Sequence, residues 1–232
     1  MNIVSLSGGK DSTAMLLMML EKGIKIDKIL FCYTGKEFPE VYPHLQQIQD
    51  YIKPYGLEIT VLKSDKSYDW YMYEYKSKYG KNKDKKGLGW ASFKVRWCTG
   101  YLKTAIINNY LSQFKEPIYE YVGIAYDEPQ RIKNYKNHIY PLVEWKMTEQ
   151  DCLDYCYSKG FDFFGIYKHR KRASCWCCPL QNLKSLETLY LYNKDLWEEL
   201  KLMDKKSNNQ FRFDYSVEEL EEKFKKKFEG AS

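Results

Sequence analysis

Short apolar runs alternate with segments of helical periodicity through the first half of the chain. The apolar runs lie at residues 3–6, 29–32, 58–62 and 119–124. Each has the length of one buried strand. The segments 13–20 and 41–55 between them have the spacing of helices. Strands that alternate with helices are typical of a parallel sheet, so we predict a doubly wound α/β fold, which binds its ligands at the carboxyl ends of the strands.

The second half of the chain has the pattern of helices. We expect one helix over about 95–111, and the sequence Thr-Glu-Gln-Asp at 148–151 has the form of a capping box that starts the next. Apolar residues at helical spacing predict two more helices, at 183–203 and 216–228. We therefore expect an α/β domain over 1–145 and a helical C-terminal region over 146–232 that packs on it.

Composition favours a soluble globular protein. The chain has 232 residues, of which 44% are hydrophobic, and no apolar run reaches the roughly 18 residues of a membrane span. Its seven cysteines are an odd number and no export signal precedes them, so we expect a cytoplasmic protein with reduced thiols or metal ligands. Cys152 and Cys156, four residues apart on a predicted helix, are expected to pack in the core.

Basic residues are concentrated in two segments, although the net charge is only +6. The first segment begins at Lys76 and ends at Lys103, and the second begins at Lys168 and ends at Arg172. Such patches attract polyanions, and aromatic residues close to the first one can stack on bases. These aromatic residues are Trp70, Tyr71, Tyr73, Tyr75, Tyr79 and Trp90. Nucleic-acid binding and a merely solvated loop, with a flexible glycine-punctuated part at 80–89, are both consistent with this pattern.

Residues 7–12 read Ser-Gly-Gly-Lys-Asp-Ser, between the first predicted strand and the first predicted helix. A glycine turn at this point directs several backbone N–H groups and the positive end of the helix dipole at one anionic ligand. Lys10 adds a positive charge, and the hydroxyls of Ser7 and Ser12 add donors. The alternative is a turn that only caps the helix. The full hexapeptide in a strand–turn–helix context favours a phosphate-binding loop.

Cysteines supply a second chemical signal. Cys175 and Cys178 have the C-x2-C spacing with which two thiolates chelate a metal ion or a cluster from one turn. Cys98 is a third candidate ligand if the fold brings it to the same place, and Cys177 is a candidate fourth. This set suits a [4Fe–4S] cluster, with zinc as the alternative.

Several segments follow one another in the order found in a known family. They are 7–12, 33–40, 96–99 with Leu102 and Lys103, 123–128 with Arg131, 140–142 with Glu144 and Trp145, and 175–179. Together they resemble the phosphoadenosine phosphosulfate (PAPS) reductase-like family of adenine nucleotide α-hydrolases. The hexapeptide itself resembles the pyrophosphate loop (PP-loop) of N-type ATP pyrophosphatases. The resemblance spans roughly residues 1–205.

The resemblance implies an enzyme that uses ATP and Mg²⁺ to adenylate a substrate, and a cluster on the cysteines would suit sulfur transfer. The residues that it predicts to bind the nucleotide are Ser7, Gly8, Gly9, Lys10, Asp11, Ser12, Thr34 and Gly35. The predicted catalytic residues are Lys10 and Arg131. Arg131 either pairs with a phosphate or sulfate oxygen or forms an ion pair with Glu128.

Two departures from the family pattern keep other functions open. Tyr33 stands where family members often have Asp before Thr-Gly, and no cysteine follows Cys178, whereas PAPS reductases use a C-terminal catalytic cysteine. Adenylation is therefore the leading hypothesis, and reduction of an adenylylated sulfate (PAPS or APS) is the alternative. A non-catalytic module that senses nucleotides or binds nucleic acid is the alternative of another class.

Overall fold

The computed structural model of the protein describes residues 1–77 and 85–229. These form two compact units that interleave along the chain. The sheet unit comprises Met1–Tyr33, Glu37–Lys63 and Ala105–Ser174, and the cysteine unit comprises Thr34–Lys36, Ser64–Thr104 and Cys175–Ser232. The predicted boundary at residue 145 lies inside the sheet unit. Part of the predicted flexible stretch 80–89, together with Lys78, Tyr79, Lys81 and Lys83, lies outside the described residues.

A five-stranded parallel sheet forms the centre of the sheet unit and confirms the predicted α/β class. Its strands are β1 (Asn2–Ser5), β2 (Lys28–Tyr33), β3 (Ile59–Lys63), β4 (Tyr119–Val122) and β5 (His138–Ile139). The order across the sheet is β3-β2-β1-β4-β5. The chain winds to one side of β1 first and then to the other, so the loops after β1 and β4 meet at a topological switch point. The sequence pattern missed β5, which has only two residues.

The α-helices surround this sheet or build the cysteine unit. They are α1 (Lys10–Glu21), α2 (Val41–Ile52), α3 (Tyr68–Tyr73), α4 (Trp97–Thr99), α5 (Ala105–Leu111), α6 (Pro141–Glu144), α7 (Glu149–Ser158), α8 (Leu183–Tyr192), α9 (Lys194–Lys206) and α10 (Val217–Glu229). Within the described ranges, none of them is long and apolar enough to cross a membrane.

Helices flank the sheet because strands that are buried on both faces need cover. Ile3, Leu30 and Leu62 pack against apolar residues of α5. The neighbouring strand residue Val4 points to the opposite face and is also fully buried. Five apolar residues of α1 are fully buried, whereas Met18 and Leu20 are partly exposed, and α1 packs against α7.

Two predicted helices are interrupted in the structure. The one expected over 95–111 consists of α4, a π-helical turn at Gly100–Thr104, and α5. The one expected over 183–203 breaks at Asn193, whose φ of −133° and ψ of 66° are not helical. The resulting α8 and α9 pack with α10 around Trp197, whose ring contacts those of Tyr190 and Phe224 at centroid distances of 5.3 and 5.8 Å.

Candidate nucleotide loop and cysteine turn

The loop after β1 turns through two glycines before α1 begins. Gly8 has a φ of +75°, in the left-handed region that favours glycine, and a Cβ there would come within 2.8 Å of the Val41 side chain. Gly9 is the N-cap of α1, and its carbonyl accepts from the N–H of Thr13 at 3.0 Å. The sequence of the loop therefore folds into the predicted strand–turn–helix arrangement, with the first N–H groups of α1 at the carboxyl end of the sheet.

The two serine hydroxyls of the loop brace it from within. Ser12 Oγ donates to the carbonyl of Gly9 at 3.0 Å and accepts from the Ser7 N–H at 3.1 Å. Ser7 Oγ lies 2.9 Å from Ser12 Oγ. Because Ser12 is buried, its hydroxyl fixes the turn in the structure. The role of both serines as phosphate ligands stays a prediction.

Gly123, just after β4, lies against the start of α1. A Cβ at this position would come within 2.8 Å of both the Ser12 nitrogen and Cα. These are backbone atoms, so no flexible side chain can move aside. The absence of a side chain at Gly123 lets the loop after β4, which carries Glu128 and Arg131, run beside the loop after β1.

The Lys10 ammonium is paired with two carboxylates. Lys10 is 5% exposed, and its Nζ lies 2.8 Å from Glu149 Oε1 and 3.1 Å from Asp11 Oδ1. Glu149 is the first residue of α7, and the predicted capping box of Thr148 and Asp151 fixes the start of that helix. Burial raises the pKa of the Asp11 carboxyl, against the opposing effect of Lys10. No sequence motif marks Glu149 as a member of this site.

Glu128 joins the same charged cluster. It is 2% exposed and forms ion pairs with both Arg131 and Arg172. Of the two predicted roles of Arg131, the structure shows the ion pair. One carboxylate oxygen each from Asp11, Glu128 and Glu149 lies within 4.8 Å of the other two, so this triad could hold a cation. Three carboxylates and three basic side chains therefore surround the start of α1.

Tyr167 closes the loop from another side. The Lys10 N–H donates to the Tyr167 hydroxyl at 2.8 Å, and the Lys10 ammonium lies 5.7 Å from the centre of the ring. Tyr167 belongs to a 3₁₀ segment, Phe163–Lys168, in which Phe163 and Phe164 have positive φ angles. Burial raises the pKa of the Tyr167 phenol, which stays protonated. Sequence reasoning missed Tyr167, since no motif marks it.

The second predicted basic patch, residues 168–172, is partly engaged within the sheet unit. Arg170 stacks on the ring of Phe38 at 4.1 Å, and burial lowers the pKa of its guanidinium to about 10. Arg172 is the partner of Glu128. These two arginines therefore have structural contacts in the structure, and nucleic-acid binding by the patch stays a prediction.

The C-x2-C segment forms a turn that backbone and amide groups hold in place. The Cys178 N–H donates to the carbonyl of Cys175 at 3.2 Å. The Gln181 amide donates to the carbonyls of Cys175, Trp176 and Cys178 at 3.3, 2.9 and 3.2 Å. The Trp176 N–H donates to the carbonyl of Lys36 at 3.0 Å. These hydrogen bonds hold the turn in one conformation within the cysteine unit.

The thiols of this turn lie in surroundings that disfavour their ionised form. Burial, followed by the neighbouring Cys175, raises the pKa of Cys177 well above its usual range. Burial also raises the pKa of Cys178, and Cys98 adds to the effect. Burial and the thiols of Cys177, Cys98 and Cys175 raise the pKa of Tyr68. Each of the four predicted cysteines therefore acts on the ionisation of Tyr68 or of a neighbouring thiol.

Lys36 brings a positive charge to the same unit. It is 6% exposed, and its Nζ lies 3.0 Å from Glu199 and 3.2 Å from Asp69. Burial alone would lower its pKa, but Glu199, Asp69 and Cys177 outweigh burial and raise it. Sequence reasoning missed Lys36.

Thr34, predicted to bind the nucleotide, contacts the cysteine turn in the structure. Its Oγ1 is 3.8 Å from Cys175 Sγ and accepts from the Lys36 N–H at 3.3 Å. Gly35, between them, has a φ of +77°. Nucleotide contacts by Thr34 and Gly35 stay a prediction.

The predicted metal ligands differ from a preformed zinc site. In the described part of the chain, one ligand atom each of Asp11, Glu128 and Glu149 lies within 4.8 Å of the other two. No three cysteine sulfurs of the described residues form such a group. Cys152 and Cys156 are fully buried, as expected.

A parallel sheet with a glycine loop between β1 and α1 at its switch point defines a protein of the adenine nucleotide α-hydrolase-like superfamily, whose members bind nucleotides. The family model described as "phosphoadenosine phosphosulfate reductase domain" matches residues 1–181, so the chain belongs to that family, as the resemblance predicted. A similar protein is an uncharacterized protein of Methanocaldococcus jannaschii, 23% identical over 216 residues. The match covers 84% of this chain and 40% of the relative, so the chain spans about two fifths of the relative's length.

Proposed function

We propose that the protein binds ATP or a related adenine nucleotide and cleaves it at the α-phosphate. An oxygen of the substrate attacks the α-phosphorus, the bond to the bridging oxygen breaks, and pyrophosphate leaves with the bonding electrons. The observation that carries the proposal is the charged cluster at the start of α1. There, Lys10, Arg131 and Arg172 meet three carboxylates beside the first backbone N–H groups of the helix.

Mg²⁺ fits the carboxylate triad. Six oxygen ligands at about 2.1 Å put neighbouring oxygens roughly 3 Å apart and opposite ones roughly 4 Å apart. The oxygens of Asp11, Glu128 and Glu149 already lie within 4.8 Å of one another, so small side-chain shifts suffice. When bound, the ion would neutralise phosphate charge and polarise the α-phosphate.

The basic side chains supply the remaining positive charge. Lys10 and the two arginines are held by carboxylates, and an incoming polyphosphate competes with those carboxylates for them. If Mg²⁺ takes over the carboxylates, the cations are released toward the phosphates. In this view, Lys10 and Arg131 stabilise the charge that develops on the leaving pyrophosphate.

The cysteine turn supports a [4Fe–4S] cluster held by Cys98, Cys175 and Cys178. Zinc bound to thiolates at about 2.3 Å would require sulfur–sulfur distances of about 3.8 Å. A cubane binds each cysteine through a different iron, so its ligands stand farther apart, in keeping with sulfurs that are not gathered within 4.8 Å. With three cysteine ligands, one iron stays open, and a bound cluster would supply sulfur at the sulfide level, which would displace AMP from the adenylated substrate as the carbon–oxygen or phosphorus–oxygen bond to AMP breaks.

The test is pyrophosphate release and nucleotide binding by purified protein. We expect Lys10→Ala to weaken binding of a non-hydrolysable ATP analogue at least tenfold and to abolish pyrophosphate release, because a buried cation at the phosphates is lost. Lys25→Ala, which removes a 79% exposed lysine of the same unit, is the matched control and should leave both unchanged. Equal binding by wild type and both variants would overturn the assignment of the loop. Preference for PAPS over ATP without pyrophosphate release would indicate the reductase.

A further inference from the structure

Two adjoining cavities open on the cysteine unit. Their volumes are about 560 and 550 Å³, and both have Ser92 and Asn209 in their walls. Among the described residues that line them there is no acidic side chain, whereas Lys85, Lys86 and Arg212 are basic. Lys86 is paired with Glu74 at 2.8 Å and Arg212 with Asp214 at 2.7 Å, and Lys85 is exposed. The charge that an anionic ligand would meet in the first cavity is therefore mainly that of Lys85.

The second cavity carries two aromatic side chains on its rim. Phe213 is 89% exposed and Phe93 is 77% exposed, the highest values among the large apolar side chains that the structure describes. Exposed rings of this kind are unfavourable in water unless a partner covers them. Beside them, Lys94 and Arg96 are also exposed. An aromatic surface with cations around it is the combination that binds unstacked bases and their phosphates.

The walls of the cavities are fixed by hydrogen bonds. The Trp90 N–H donates to Asn209 Oδ1 at 2.6 Å, and the Asn208 amide donates to the carbonyls of Lys86 and Gly87 at 3.0 and 2.8 Å. The segment 207–213 is therefore tied to the segment 85–90. Such preformed walls lower the entropy cost of ligand binding.

The second cavity is continuous with the cysteine turn. Arg212 donates to the carbonyls of Pro179 and Gln181 at 2.9 and 2.5 Å, and both acceptors line the cavity. The Gln181 side chain in turn holds the turn through the carbonyls of Cys175 and Cys178. A ligand in this cavity would thus lie beside the residues that hold the backbone of the C-x2-C turn.

We propose that these cavities bind single-stranded nucleic acid, with a base stacked on Phe93 and Phe213 and its phosphates along the lysines of the first cavity. The inference rests on the proposed function, since it names the acceptor of the adenylation as a nucleotide of a single strand. A duplex does not fit, because its bases already stack on one another and offer no free face.

The experiment measures binding of labelled single strands of about twelve nucleotides, DNA and RNA, by fluorescence anisotropy at low salt. We expect Phe93→Ala and Phe213→Ala to weaken binding roughly tenfold each, the effect of losing one base-stacking ring. Phe228→Ala, which removes an exposed phenylalanine on α10, is the matched control and should bind like wild type. Lys85→Ala should weaken binding and reduce its dependence on salt concentration. Because the side chains of Phe93 and Phe213 are exposed, the variants should unfold at the wild-type temperature.

Three outcomes would overturn the inference. The first is equal affinity of wild type and all variants for single strands. The second is equal affinity of wild type for duplex and single strand. The third is a wild type that binds no strand but forms concentration-dependent dimers, which Phe213→Ala abolishes. Binding of the ATP analogue is measured on the same samples and should be retained in both phenylalanine variants. If wild type binds strands but no ATP analogue, the proposed adenylation fails while the strand-binding surface stands.

Discussion

The nucleotide loop and the cysteine turn hold their reactive groups in opposite ways. In the loop, each charged side chain has a partner of opposite sign: Lys10 lies on Glu149, and Glu128 lies between two arginines. In the turn, the thiols are desolvated, and burial raises the pKa values of Cys177 and Cys178. Under the proposed function, a charged ligand would therefore bind the loop by exchanging ion-pair partners, whereas the turn would need a metal to stabilise its thiolates.

The largest expected effect is on the metal content of the cysteine unit. Anaerobically purified wild type should contain iron and sulfide, and Cys175→Ser should lose most of both, because a [4Fe–4S] cluster with two remaining cysteine ligands is not held. Iron and sulfide per chain are the measurements, with the visible absorption of the cluster as a second readout.

Cys156→Ser is the control for that experiment. Its thiol is fully buried in the sheet unit, 3.5 Å from the carbonyl of Lys10, so its loss should leave the iron content unchanged. Wild type that is free of iron and sulfide would contradict the cluster, and zinc lost on Cys175→Ser would show the alternative metal.

The second expected effect compares the space around one glycine in each of the two regions. Gly123→Ala places a Cβ against the backbone of Ser12 at 2.8 Å, so we expect a loss of roughly 3 kcal/mol in the free energy of unfolding, typical of overpacking. Gly100→Ala, after Cys98, meets nothing within 4 Å at a helical φ of −62° and should be neutral or slightly stabilising. Urea denaturation measures both. Equal stability of the two variants would mean that the loops after β1 and β4 are less tightly packed than the structure shows.

The smallest expected effect concerns the histidine contribution to acid stability, which arises in the sheet unit, where all three histidines lie. His44 is buried, its Nε2 lies 3.0 Å from Thr13 Oγ1, and burial lowers its pKa from 6.5 to about 4, against the weaker effect of Asp162. The unfolded chain takes up the proton first, so stability is present above pH 6.5 and is lost as the pH falls toward 4. At pH 5 the loss from this group is roughly 2 kcal/mol.

His44→Gln removes this titration. We expect the variant to be less stable than wild type at pH 7 but to lose less stability between pH 7 and 5, as measured by urea denaturation at each pH. Parallel loss in both proteins would show that other groups dominate the acid response.

The sequence predicted the sheet, the loop and the capping box because each is a local pattern. The serines and glycines of residues 7–12 predict a turn that the structure contains. Thr148 and Asp151 form the expected capping box. The partners of the loop could not be predicted, because Glu149 and Tyr167 reach it only through the tertiary fold. The break at Asn193 could not be predicted either, because apolar residues continue at helical spacing on both sides of it.

The Tyr167 hydroxyl gives the loop one further property. It accepts the hydrogen bond of the Lys10 N–H, so this donor at the start of α1 is satisfied within the chain. Under the proposed function, a phosphate oxygen replaces the phenol at this amide, and binding gains only the difference between a charged and a neutral acceptor. We then expect the affinity of the loop to reflect competition with the Tyr167 hydroxyl, and the displaced phenol to report nucleotide binding.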